Sequence, residues 1–191
     1  MSDVYAFVFR GDMAVQAVGA TGLALPAYSV EEGHEEIANA LSLELLDPVD
    51  VEKANRMALV YVAIAAFERL ARSFIRRVLV DEFSDDWWVQ GVSERIRKKA
   101  EGRHEEEQKT KWHGNRGGDL LDYTEMGHLS SIIQQNLPLF EAHIPRAEWA
   151  SAIFSAVEQS RNVIMHSGEL GIEDIERVGV NIRDWSRQVG S

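Results

Sequence analysis

The chain has 191 residues, 45% of them hydrophobic and 27% charged, with 14 Gly, 4 Pro and no Cys. These proportions describe a folded globular protein and exclude disulfide scaffolds, thiolate metal sites and cysteine nucleophiles. No apolar run approaches the ~20 residues of a membrane span, and no secretory signal pattern opens the sequence, so a cytoplasmic protein is expected.

The formal charge of −11 is spread unevenly. Residues 1–50 carry one base, Arg10, against nine acids. The stretch Arg95 to Arg116 carries eight bases against four acids, Glu101, Glu105, Glu106 and Glu107. A local field of that sign can draw in a polyanion whatever the total charge. The competing reading is a solvated helix face laced with ion pairs.

In chain order, Val4 to Phe9 alternates weakly like a strand, and His34 to Leu46 reads as an amphipathic helix. Residues 1–47 are expected to form a partly helical extension packed on a helical domain of residues 48–191. Val51 to Val80 is the clearest helix. Its stripe is Val60, Ile64, Phe67, Ala71, Phe74 and Val78, with Arg69 and Arg76 facing solvent. Glu68 and Arg72, four apart at the border of the stripe, can pair along the helix.

Asp85-Asp86 before Trp87-Trp88 predicts a helix start, with the helix running to about Glu107 and giving way to a polar stretch, Lys111 to Asp119. Asp122-Tyr-Thr-Glu125 has capping-box spacing before Met126, Leu129, Ile132 and Ile133, with a stop near Leu137-Pro138. Pro145 opens the next helix, striped by Trp149, Ile153, Val157 and Ile164 and stopped by Gly168. A last helix aligns Ile175, Val178, Ile182, Trp185 and Val189. These stripes predict an all-α antiparallel bundle with Ile64, Phe67, Phe74, Ile153, Val157, Ile182 and Trp185 in its core.

The Gly clusters lack phosphate-loop spacing, and the six His residues lack metal-ligand spacing on any one helix face. No nucleophile-elbow sequence supports a serine hydrolase. What stands out is Arg161-Asn162-Val163-Ile164-Met165-His166, at the end of an amphipathic helix. Asn162 and His166 share a face there, whereas Arg161 and His166 lie roughly 140° apart around the axis. The negative helix end favours an imidazolium at His166. A histidine that moves protons and a guanidinium that neutralises a phosphorane suit phosphodiester cleavage. Ordinary basic capping of a helix end is the competing reading.

This Arg-Asn-x-x-x-His run late in a helical bundle resembles the HEPN superfamily, most closely the HEPN domain of the Swt-one endoribonuclease family. The resemblance spans most of the chain after about residue 50. It rests on the Glu68/Arg72 helix, Asp86-Trp87-Trp88, Leu121-Asp122-Tyr123, Ile132-Ile133, Trp149 and Arg161-Asn162-x-x-x-His166-Ser167-Gly168. It implies a HEPN-like bundle and a metal-independent endoribonuclease without cofactors, a toxin or phage-defence effector with RNA as substrate and a neutralising or partner protein. It also implies a homodimer, with the two-fold axis near the end of the helix from Pro145 to His166. In that setting His166 would serve proton transfer, Arg161 would stabilise the phosphorane, and Asn162 would position the scissile group or His166. Glu68 and Arg72 would support them. Arg95, Lys98, Lys99, Arg103, Lys109, Lys111 and Arg116 would guide the backbone, and Trp112 would stack a base. Other members are non-catalytic, so a dimeric module that binds RNA, a nucleotide or a partner protein is the alternative.

Overall fold

The computed structural model describes residues 30–190. The strand expected over Val4 to Phe9 lies outside the described residues. Within them every regular element is a helix, so the protein is all-α there. No described helix is long and apolar enough to cross a membrane. Contacts divide the chain into two units, residues 1–51 and 52–191.

In the first unit, helix α1 (Val30–Ala40) is followed by a 3-10 turn at Leu43–Leu45. The helix expected from His34 to Leu46 therefore ends early. Ser42 takes a left-handed conformation (φ 52°) that no α-helix continues through. Helix α2 (Pro48–Phe83) then opens on Asp47, whose Oδ1 accepts the Val49 N–H at 2.8 Å. Pro48 sits at the first helical position, where its missing N–H costs nothing.

The second unit contains the rest of α2, α3 (Trp87–Gly91), α4 (Glu94–Gln108), α5 (Met126–Gln135), α6 (Leu137–Phe140), α7 (Ala147–Met165) and α8 (Ile172–Val189). Trp185 of α8 is fully buried and anchors the core. Its ring meets Phe67 at 5.8 Å, Phe74 at 5.9 Å, Phe154 at 4.9 Å and Trp149, stacked, at 5.7 Å. Trp149 opens α7 and Trp185 lies near the end of α8, so these two helices form an antiparallel hairpin. At the turn between them the Leu170 N–H reaches the Met57 sulfur at 3.3 Å. Met57 near the turn and Phe74 near Trp185 set α2 parallel to α8 and antiparallel to α7.

All the expected core residues are buried except Ile182, which is half-buried against the cluster. Phe154 is added to them, because α7 buries a wider face than the four-residue stripe implies.

Further boundaries differ from the sequence expectation, and α7 opens at Ala147, two residues after the expected Pro145. The helix after the Trp pair breaks at Val92-Ser93, where both residues are extended, with ψ 127° and 145°. Gly91 comes so close to Leu79 that an added Cβ would sit 2.8 Å from Cδ2, and its carbonyl accepts the Asn136 amide at 2.8 Å. This packing ends α3 there. The capping signal also shifts by a turn. Asp119 and Asp122 form a box around the 3-10 helix Leu120–Tyr123, and Glu125 with His128 forms a second box at the start of α5.

The second box makes stability depend on pH. His128 is buried and its Nδ1 accepts the Glu125 N–H at 3.2 Å, so the neutral ring is required there. Burial pushes its pKa below 6.5; the Glu125 carboxylate opposes this, while Lys99, Arg103 and Arg95 add to it. A histidine held neutral contributes stability above its unfolded pKa and loses it as pH falls from there towards the folded value. Urea midpoints should therefore drop as pH falls from 6.5. In His128→Gln, whose amide oxygen can take the same hydrogen bond, that component of the slope should vanish. Burial raises the Glu125 pKa, but the Arg103 hydrogen bond and the nearby cations outweigh it and leave it lowered. Glu125 therefore withdraws its own stabilisation in a separate window, below the usual carboxylate range.

Candidate functional site at the end of α7

Arg161 lies in the last turns of α7 with about a third of its side chain exposed. Its Nε is buried, has no hydrogen-bond partner among the described residues, and stands 3.9 Å from Glu68 Oε2. Glu68 Oε1 in turn pairs with Arg72 Nη2 at 2.7 Å, the four-residue pairing expected along α2. Arg72 is anchored further: its Nε donates to the Leu121 carbonyl at 3.0 Å and Nη2 to the Thr124 carbonyl at 2.8 Å. The carboxylate of Glu68 therefore stands between two guanidiniums. Arg72 fixes it from one side, and its free field faces Arg161.

Asn162 and His166 are both exposed, on the side of α7 turned away from the bundle. Within one chain the structure gathers Arg161, Glu68 and Arg72, and leaves Asn162 and His166 on an open shoulder beside them. Among the described residues no three His, Asp or Glu side chains converge as a metal-ligand set.

The helix end that carries His166 is built tightly. The Ser167 N–H bonds the Ile164 carbonyl at 3.0 Å and the Gly168 N–H bonds the Val163 carbonyl at 2.8 Å, a Schellman closure. The left-handed position is Ser167 (φ 61°), one residue before the expected stop at Gly168. Gly168 is needed for a different reason: a Cβ there would lie 2.7 Å from Val163 Cγ1 and 2.9 Å from the Val163 carbonyl oxygen. Gly168→Ala should cost about 1–2 kcal/mol by overpacking, read as a lower thermal midpoint, and should loosen the turn that holds His166.

The residues expected along an RNA path separate into three groups. Arg103 is a structural tie, donating to the Tyr123 carbonyl at 2.9 Å and pairing with Glu125. Lys98, Lys109 and Arg116 pair with Glu94, Glu106 and Glu107 at 2.6, 2.6 and 2.7 Å, the first two pairs on the surface and the third with a half-buried Glu107. Such exposed pairs are worth little and yield to a competing phosphate. Arg95, Lys99 and Lys111 are exposed.

Trp112 is 85% exposed, its ring 5.7 Å from that of His113. An open cleft of about 480 Å³ beside it is lined by residues including Glu106, Thr110, His113, Asn115 and Arg116. The sequence does not reveal the three carbonyls that Arg72 and Arg103 hold. Only the odd placement of cations at half-buried helix borders hinted at them. Comparison with protein-family models, with curated proteins and with solved structures finds no match.

Proposed function

We propose that this chain is an endoribonuclease that cleaves RNA by attack of the ribose 2′-hydroxyl on the adjacent phosphate. The observation that carries the reading is Arg161 held beside the Glu68–Arg72 pair at an exposed helix end that also presents Asn162 and His166. An imidazole takes the proton of the 2′-hydroxyl, the 2′-oxygen bonds to phosphorus, and the 5′-oxygen departs with a proton from a second acid. Arg161 stabilises the crowded anionic phosphorane, and Asn162 orients the scissile group. The products are a 2′,3′-cyclic phosphate and a free 5′-hydroxyl. The nucleophile belongs to the RNA, so this chemistry asks for no metal.

One motif supplies one imidazole, so a second copy facing the first across the end of α7 supplies the acid. A toxin or defence effector acting in the cytoplasm on structured RNA, and restrained by a partner protein, is the setting we propose. The divergence of Arg161 and His166 within one chain favours a second reading: a dimeric module that binds RNA, a nucleotide or a partner protein without cutting. Incubating the full chain with structured RNA in chelator separates the two. Cyclic-phosphate ends support the enzyme; retention of intact RNA in a stable complex supports the binding module.

A further inference from the structure

From Met57 to Phe67 helix α2 is apolar without a break, yet only Met57, Val60, Ile64 and Phe67 of that run are buried. Leu59 is 76% exposed, Val62 64% and Leu70 45%. A helix apolar all round is ordinarily covered on every side. The side left exposed among the described residues has a particular pattern. Glu52, Arg56, Leu59, Ala63, Ala66, Leu70, Ser73 and Arg77 share it, separated alternately by four and three residues. Those spacings follow the 3.5-residue repeat that keeps one seam turned towards a neighbouring helix.

The seam also comes close to a palindrome. Read from its two ends towards the middle, acid matches base, leucine matches leucine and alanine matches alanine, with Arg56 set opposite Ser73. A two-fold interface demands this property, because residue i must meet j while j meets i; an unrelated partner does not. We infer that α2 pairs antiparallel with α2 of a second copy, about a two-fold axis between Ala63 and Ala66.

In that arrangement Leu59 packs on Leu70 of the second copy at two symmetric places. The central alanines let the helix axes approach to about 8 Å, the close end of the usual range. Glu52 meets Arg77 of the second copy at both ends. Both are exposed, and the Arg77 guanidinium lies 5.7 Å from the Phe74 ring.

Glu68, which faces Arg161, lies roughly 160° around α2 from Ala66 and Leu70. The seam is therefore on the far side of the helix from Arg161, so this two-fold axis is separate from the one proposed at the end of α7, and the inference does not depend on RNA cleavage. The test is mass in solution, by light scattering and sedimentation of the full chain. Leu70→Glu should weaken self-association at least ~10-fold with the helical signal unchanged, since the side chain is already exposed. Glu52→Arg alone and Arg77→Glu alone should each weaken it, and the two together should restore it.

The absence of native cysteine permits a check of register. Leu59 and Leu70 are about 16 Å apart along one helix, so a disulfide between Leu59→Cys and Leu70→Cys must join two chains. The double variant should oxidise to a covalent dimer and Leu59→Cys alone should not. An unchanged mass in Leu70→Glu, or crosslinking of Leu59→Cys alone, would overturn the pairing. Loss of RNA cleavage with the mass intact would count against the nuclease reading only.

Discussion

Arg72→Ala should lower the stability of the protein by about 3–4 kcal/mol, read from urea denaturation at neutral pH. The side chain is only 11% exposed and serves three acceptors, Glu68 and the Leu121 and Thr124 carbonyls. Removing it leaves Glu68 with its remaining cation at 3.9 Å, beyond hydrogen-bond reach. Breaking a buried pair costs about 3–5 kcal/mol because the survivor stays desolvated, and residual exposure here places the expectation at the lower end. Arg72→Lys should recover less than half of the loss, because one ammonium cannot span two carbonyls and a carboxylate. Arg69→Ala, on the exposed side of the same helix, should stay within about 0.5 kcal/mol.

Arg72 also marks the boundary between what the sequence makes legible and what it does not. Its pairing with Glu68 follows from four-residue spacing, a local rule. Its bonds to Leu121 and Thr124 join residues 49 and 52 positions away, and no periodicity encodes them. The stripe from Val60 to Val78 was legible because burial on one side of a straight helix imposes the 3.6-residue period. The hairpin of α7 and α8 was legible in the same way.

The break at Val92-Ser93 was not, since it answers to the close approach of Gly91 to Leu79, a tertiary constraint. Arg103 shows how charge alone misleads. It counts among the bases of Arg95 to Arg116 as if it faced solvent, whereas the fold commits it to the Tyr123 carbonyl and Glu125. For the site, the sequence marked Arg161, Asn162 and His166. The fold adds that Arg161 faces an acidic partner already held by another arginine.

If the chain is the endoribonuclease proposed above, this placement sets Arg161 and His166 apart. His166→Ala and Arg161→Ala should each reduce RNA cleavage by about 10²–10⁴, the usual loss for a proton-transfer group or an electrostatic stabiliser. Their effects on the fold should differ. His166 is exposed, and its backbone N–H still closes the helix on the Asn162 carbonyl at 3.1 Å after truncation, so the melting temperature should hold. Arg161 neutralises part of the Glu68 field, so its loss should destabilise modestly, and Glu68→Gln combined with Arg161→Ala should recover that part without recovering cleavage. Arg161→Lys should fold normally and still fail to cut, because an ammonium keeps the charge but presents no planar pair of donors to the phosphate oxygens. On the same proposal, RNA affinity should survive His166→Ala, since phosphate contacts elsewhere would supply most of the binding energy. A folded His166→Ala protein that cuts at the wild-type rate removes the imidazole from the mechanism. An unfolded one makes His166 a helix cap and nothing more.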